Sequence, residues 1–281
     1  MSRRPISTRA LALEILRHAV LLAGAAFMLF PFVVMVSTSL KPAGEIFSPT
    51  FSLLPQTWAA VENYTTAFTR VPLGRFILNG LFVGFLIFFF QALIAVPCAY
   101  ALAKLRFRGR ETIFAFVLLG LLIPPQAPAI PLYIGMWQLG LLDTYAALVI
   151  PSSISVFGIF LMRQFFRQVP DDLIHAARID GLNEFAIVWR IMVPSAMPAL
   201  IAFAVLSLVW NWNEFFWPLI AIQSTHLMTP PLGIAFFDNA EAGTNYGPLM
   251  AAAVAVTLPL VLAFLVAQRR FLEGFAVTGV K

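Results

Sequence analysis

From His18 to Leu40 the chain carries no formal charge at neutral pH. Bilayer hydrocarbon is about 30 Å thick, and a helix rises about 1.5 Å per residue, so about 20 apolar residues span it. Such runs recur along this chain: Phe76–Ala103, Thr112 toward Leu142, a stretch within Thr144–Met162, Ala196 to near Ile222, and Pro248–Gln268. In hydrocarbon a backbone must satisfy its own amides and carbonyls, which a helix does. The reading is an all-α polytopic membrane protein with six transmembrane helices, forming a single domain over 1–281. Only 11% of residues are Asp, Glu, Lys or Arg, against about 25% in soluble domains.

The first ten residues, MSRRPISTRA, are basic and precede an apolar run, as in a secretion signal. That run exceeds the 7–15 residues usual for a signal core, so it predicts a retained span. The single cysteine, Cys98, lies in an apolar run and can form no intrachain disulfide. It is expected to be a small buried packing residue.

Charge placement sets an orientation. With the N-terminus inside, inner segments hold Arg3, Arg4, Arg9, Arg17, Lys104, Arg106, Arg108, Arg110, Arg163, Arg167, Arg178, Arg190, Arg269, Arg270 and Lys281. Outer segments hold only Lys41, Arg70 and Arg75. This asymmetry predicts cytoplasmic termini and a cytoplasmic 163–194 segment in a cell (inner) membrane protein. The net charge of +5 therefore reports membrane orientation. No nucleic-acid partner is expected, since no soluble basic face is available.

The inner segment reads RQFFRQVPDDLIHAARIDGLNEFAIVWRIMVPSAMPAL, from Arg163 to Leu200. Pro170 followed by Asp171 and Asp172 predicts a helix start, the carboxylates capping free amides and meeting the positive dipole end. The helix is expected over Leu173–Asp180, with Gly181 as its stop. A second helix is expected from near Asn183 to Pro194. Leu173, Ala176, Ala177 and Asp180 fall on one face. Two alanines there would let another surface approach closely, which suits a docking knob. An amphipathic loop helix lying on membrane lipid fits the spacing as well.

P-x-x-L-x-x-A-A-R-I-D-G, an aromatic-rich helix and V-P-x-x-x-P together resemble the cytoplasmic "EAA" loop of ABC-importer permeases. In particular they resemble the membrane subunits of maltose-type carbohydrate importers. Further short motifs follow in order: STSLKP (Ser37–Pro42), ENY (Glu62–Tyr64), RFILNG (Arg75–Gly80), AYALAKLRFRGR (Ala99–Arg110), IPPQ and IPLY (Ile123–Gln126, Ile130–Tyr133), WNEFFWPL (Trp212–Leu219) and QRRFLEGFAVTGVK (Gln268–Lys281). The resemblance implies a type I importer permease fold. It also implies partners: a second permease subunit, two cytoplasmic ATP-binding subunits carrying ATP and Mg, and an extracytoplasmic solute-binding protein. It assigns the ATPase-coupling loop to Asp172, His175, Ala176, Ala177, Asp180 and Gly181. The family usually has glutamate where this chain has His175, so a family-typical ion pair is not assumed there. The 223–247 segment resembles, through Asn245–Pro248 alone, the loop that meets the binding protein.

The chain has no nucleotide-binding G-x-x-x-x-G-K-[ST] pattern, no H-E-x-x-H and no G-x-S-x-G. Its three histidines, His18, His175 and His226, lie far apart in sequence. No catalytic, metal or cofactor site is expected, and hydrolysis would belong to another chain. The alternatives are an ion-coupled secondary transporter working without an ATPase, a membrane enzyme, and a structural membrane subunit.

Charge inside a span is costly and usually faces a cavity. Glu214 is the clearest case. Ser207, Asn211, Glu214 and Pro218 fall at i, i+4, i+7 and i+11 and form one polar stripe on an otherwise apolar helix. Trp210, Trp212 and Trp217 flank it. Hydroxyl-directed hydrogen bonds and aromatic stacking suit a polyhydroxyl solute, so Ser207, Asn211, Glu214 and Trp210 are candidate pathway residues. A hydrogen-bonded helix seam is the competing reading. Pro124, Pro125, Pro128 and Pro131 predict a kink in the third span. Asn79 and Gln91 are expected to join helices.

Overall fold

The computed structural model describes residues 8–49, 52–235 and 245–276. Arg3, Arg4 and Lys281, and residues 236–244, lie outside the described residues. The helices are α1 (Thr8–Ser39), α2 (Ala43–Ile46), α3 (Ala60–Arg70), α4 (Leu73–Lys104), α5 (Arg110–Gly120), α6 (Ala129–Gln138), α7 (Tyr145–Val149), α8 (Val156–Phe166), α9 (Asp171–Ile179), α10 (Glu184–Ser195), α11 (Met197–Trp212), α12 (Phe216–Ala221), α13 (Pro230–Ala235) and α14 (Tyr246–Ala276). No strand occurs among the described residues.

Three expected spans contain single helical stretches long and apolar enough to cross a membrane: Leu13–Ser39, Leu73–Lys104 and Tyr246–Leu265. The other three are each divided, for local chemical reasons. Between α5 and α6 stand Pro124, Pro125 and Pro128. Proline removes amide donors and keeps the residue before it from helical angles. Pro131 is tolerated because it lies in the first turn of α6, where amides have no helical partner. The fourth span breaks around Pro151. Thr144 caps α7 by accepting from the Ala147 amide, and Ser155 caps α8 by accepting from Gly158. The fifth span breaks between Trp212 and Phe216, because Pro218 has no amide for the Glu214 carbonyl. The expected polar stripe assumed one continuous helix; its register stops at Trp212, so Glu214 and Pro218 lie beyond it.

Two compact units emerge, one of residues up to Val71 with Phe237–Ala255, the other of Pro72–Phe236 with the remainder of α14. In the first unit, three sequence motifs meet. Asn63 Nδ2 donates to the Ser39 and Lys41 carbonyls at 2.9 and 2.8 Å. The Tyr64 and Ser39 hydroxyls lie 3.3 Å apart. Gly247 packs so tightly on Asn63 that an added Cβ would fall 2.6 Å from its Oδ1. Lys41 is buried, its amine donating to the Ser52 carbonyl. These contacts fix the end of α1 against α3. The lateral surface of α1 is exposed along its apolar length.

In the second unit, α4 packs on α8 and α11. Gly158 on α8 lets the Phe203 ring of α11 approach to where a Cβ would stand 2.2 Å from it. Asn79 and Gln91 join segments as expected. Asn79 Nδ2 donates to the His226 and Met228 carbonyls at 3.0 and 2.9 Å, and Asn79 Oδ1 accepts from Tyr145 Oη at 2.8 Å. Cys98 differs from expectation. It lies on the exposed side of α4, because Val96, Ala99 and Tyr100 take the inward positions around it.

Candidate functional site

The α9–α10 hairpin is built from local chemistry. Pro170 occupies the N-cap of α9 with φ −58° and ψ 137°, and with no side-chain cap. The helix starts at Asp171, two residues before the expected Leu173. Neither aspartate caps it. Asp171 Oδ1 instead accepts from Lys104 Nζ at 2.6 Å, and the same amine donates to the Val169 carbonyl at 2.5 Å. This ammonium holds the Asp171 carboxyl below the usual carboxylate range. At the other end Gly181 takes φ +83°. Leu182 N donates to Ala177 O at 3.0 Å and Gly181 N to Arg178 O at 3.1 Å, the paired bonds of a Schellman stop. Asn183 Oδ1 then accepts from Ala186 N at 2.8 Å and starts α10.

Six residues apart across the turn, Arg178 and Glu184 form a fork. Arg178 Nε donates to Glu184 Oε1 at 2.7 Å and Nη2 to Oε2 at 3.2 Å. Tyr100 Oη, on α4, donates to Glu184 Oε2 at 2.5 Å. Arg178 is the main cause that keeps the Glu184 carboxyl below its ordinary value.

Which side of α9 faces inward differs from the sequence expectation. Ala177 is 3% exposed and packs with Ile174 into a core of Val96, Ala99, Tyr100, Met162, Phe166 and Ile187. The apolar pair Ile174 and Ala177, one turn apart, outcompetes the mixed face containing Asp180 for burial. Asp172, Leu173, His175, Ala176, Ile179, Asp180 and Gly181 are exposed, Ile179 at 87%. A Cβ at Gly181 would meet no atom within 4 Å. The hairpin therefore presents a small, partly apolar outward face. α10 runs on through a π-helical turn at Val188–Met192 and meets α11 at 85°.

Arg163, at the end of α8, is 3% exposed yet fully engaged. Its Nε donates to the Leu102 carbonyl at 3.0 Å. Its Nη2 lies 3.2 Å from Glu111 Oε2, and its guanidinium sits 3.6 Å over the Phe114 ring.

The pathway candidates divide. Ser207 Oγ donates to Gln91 Oε1 at 2.6 Å, and Gln91 Nε2 donates to the Ser152 carbonyl at 2.7 Å. Ser207 thus sits in a buried seam. Asn211 Nδ2 donates back to the Ser207 carbonyl at 2.8 Å. Glu214 Oε1 accepts from Trp217 N at 3.1 Å, satisfying a first-turn amide of α12. Trp210 is 62% exposed, while Trp217 Nε1 donates to the Ala147 carbonyl at 2.8 Å. Sequence reasoning missed Tyr100, Lys104 and Arg163 as anchors. Their signal was present: Tyr100 and Lys104 stand at i, i+4 within AYALAKLRFRGR, on one helix face.

Residues 91–275 match the protein family described as binding-protein-dependent transport system inner membrane component. The chain is 34% identical over 255 residues to the arabinooligosaccharides transport system permease protein AraQ of Halalkalibacterium halodurans, across 90% of this chain and 91% of that one. It is 32% identical over 261 residues to the diacetylchitobiose uptake system permease protein NgcG of Streptomyces coelicolor, across 90% and 84%. To the sn-glycerol-3-phosphate transport system permease protein UgpE of Yersinia pestis it is 30% identical over 269 residues, across 93% and 95%. Its fold is that of a chain in the crystal structure of a bacterial ABC transporter involved in the import of the acidic polysaccharide alginate, with a TM-score of 0.83, 24% identity, and coverage of 96% of this chain and 100% of that one.

Proposed function

The chain belongs to the binding-protein-dependent transport system inner membrane component family, and from that premise we infer that it is the permease subunit of an ATP-driven importer. Its cargo is a sugar or related polyhydroxyl solute, the class carried by AraQ, NgcG and UgpE by their names. The chain is a multi-pass inner-membrane protein. In this reading it crosses six times, three times through broken helices, with both termini and the α9–α10 hairpin in the cytoplasm. It works as one permease domain beside a second permease subunit. Two ATP-binding subunits hold ATP and Mg, and an extracytoplasmic binding protein delivers the solute.

The observation that supports coupling is the α9–α10 hairpin. Its inner face is locked into the chain's own core, and its outer face, with Ala176, His175, Asp180 and Gly181, is left open. A rigid knob with a small exposed face suits seating in a cleft of a motor subunit. Asp172 and Ala177 belong to the same loop, the first exposed and the second supporting the knob from inside. The solute path is proposed to run by Asn211, Glu214 and Trp210, with Ser207 holding the helix that carries Asn211.

The test is reconstitution of this chain with its partner permease, ATPase and binding protein in liposomes. Uptake that requires ATP on the ATPase side and fails when any one chain is omitted is the expected result. Uptake by this chain alone, driven by an ion gradient, would overturn it.

A further inference from the structure

The inner end of α4 grips the α9–α10 hairpin at two points one helical turn apart. Lys104 Nζ holds the start of the hairpin through Asp171 Oδ1 at 2.6 Å and the Val169 carbonyl at 2.5 Å. Tyr100 Oη holds the far side through Glu184 Oε2 at 2.5 Å. Glu184 is itself forked to Arg178, so one hydroxyl reaches both helices of the hairpin across the Gly181 turn. Beside the two ties, Val96, Ala99 and Tyr100 share one apolar core with Ile174, Ala177, Ile187 and Val188. Apolar packing is non-directional and does not by itself fix register. The two hydrogen-bonded ties do, because each has one short geometry.

The same helix has polar attachments along its length. Gln91 is bonded to Ser207 and to the Ser152 carbonyl. At the other end Arg75 Nε donates to the His226 carbonyl at 2.9 Å, and Asn79 holds His226 and Met228. From Tyr100 to Asn79 is about 30 Å at 1.5 Å per residue, the thickness of a membrane core. α4 is continuous over Leu73–Lys104 with Pro97 inside it. Proline is a soft point in a helix, and the buried Val96, Ala99 and Tyr100 beside it are held by the hairpin's own core.

We propose that Tyr100 and Lys104 are positioning residues that clamp the α9–α10 hairpin to α4. Displacement of the hairpin is then displacement of a rod that ends on the His226–Met228 segment. This rests on the reading of the hairpin as the motor-docking element. The clamp gives that element a defined output: α9 and α4 move as one body. Neither residue touches solute or nucleotide in this scheme. Each acts by holding Asp171 or Glu184.

The test uses the complete transporter in lipid nanodiscs, carrying Cys98→Ser and spin labels at Arg190→Cys, exposed on α10 away from the docking face, and Leu93→Cys on α4. Distances are measured nucleotide-free and trapped with Mg-ATP and vanadate. With the clamp intact, one distance unchanged by nucleotide is expected. With Tyr100→Phe and Lys104→Gln together, the distance should shift or broaden on trapping while the ATPase subunits still copurify and hydrolyse ATP. Exchanging the charges, Lys104→Asp with Asp171→Lys and Tyr100 kept, restores the ion pair but not the Val169 bond, and should narrow the distance relative to the double variant. If the double variant does not assemble, Tyr100→Phe alone, which removes one oxygen, carries the comparison. A distance that moves with nucleotide in the parent, or stays fixed in the clamp variants, overturns the proposal. Failure of the parent chain to copurify with an ATPase would overturn the docking reading itself, and is seen before any distance is measured.

Discussion

Ser207 Oγ donates to Gln91 Oε1 at 2.6 Å, joining α11 to α4 inside a span. Both side chains are buried. Ser207→Ala would leave the Gln91 oxygen without that donor. An unpaired buried acceptor costs about 1–3 kcal/mol in soluble proteins, and interhelical polar pairs in membranes average about 0.6 kcal/mol. A loss of about 1 kcal/mol is expected, read as a lower unfolding temperature in detergent. Uptake per folded molecule should stay near the parent value. A large uptake defect at unchanged stability would move Ser207 from the seam to the solute path.

Glu214 offers the complementary case. Its Oε1 accepts from Trp217 N, so its structural role needs an acceptor oxygen and not a charge. Glu214→Gln keeps that oxygen, and the unfolding temperature is expected to hold. Glu214→Leu removes it, with an expected loss of about 1 kcal/mol, typical of a lost helix cap. If the carboxylate also meets the solute, Glu214→Gln lowers uptake severalfold without destabilising the protein. Unchanged uptake in Glu214→Gln takes Glu214 off the pathway.

The hairpin was legible because its signals are local. Pro170 and Gly181 act through the backbone angles of one residue each, and both mark helix ends within two residues of expectation. The anchors were not legible, because Lys104 and Asp171 stand 67 positions apart and Tyr100 and Glu184 stand 84 apart. Only packing brings them together. Ala177 was placed on the outward face because helical periodicity shows which residues share a side, not which side is inside. Ile174, one turn from Ala177 on a purely apolar side, decides that. The fifth span looked continuous because a hydropathy run does not register a break at Asn213–Phe215. Pro218, four residues past Glu214, carried the warning.

Gly181 takes φ +83° with open space where a Cβ would go. Any defect from substitution within this chain is therefore one of backbone angle. Asparagine tolerates the left-handed region better than β-branched residues, for which the penalty is about 1–2 kcal/mol or more. Gly181→Asn is expected to retain insertion and hairpin structure, and Gly181→Val to lose uptake while membrane insertion survives. Uptake lost equally in both, with both hairpins folded, indicates that a partner surface fills the space beside Gly181. Normal uptake in Gly181→Val would count heavily against coupling through this turn.

Asp143 is the one non-glycine residue with positive φ, +56°, among those described. It clasps the segment after α12. Its Oδ1 accepts from the Gln223 and Ser224 amides at 3.0 and 2.8 Å, and Oδ2 from Ser224 Oγ at 2.5 Å. Its own amide donates to the Ala221 carbonyl at 2.9 Å. The Ser224 hydroxyl, first, and the Ser224 amide hold its carboxyl below the usual carboxylate range, against some desolvation. A carboxyl with a lowered folded pKa contributes stability that is full above its unfolded pKa and lost as pH falls through the folded one. The clasp should therefore be constant from pH 8 to about 5 and weaken only in stronger acid. Asp143→Asn keeps a residue type that accepts the left-handed angle and removes the charge. The site is partly exposed, so solvent screening reduces the effect to about 1 kcal/mol at neutral pH. Thermal unfolding in detergent at pH 7 should show Asp143→Asn below the parent, and the gap should narrow as pH falls below the ordinary aspartate value of about 3.9, where the unfolded chain takes up the proton before the folded one. An equal gap at both pH values would mean that shape, and not the charge on Asp143, holds the two segments together.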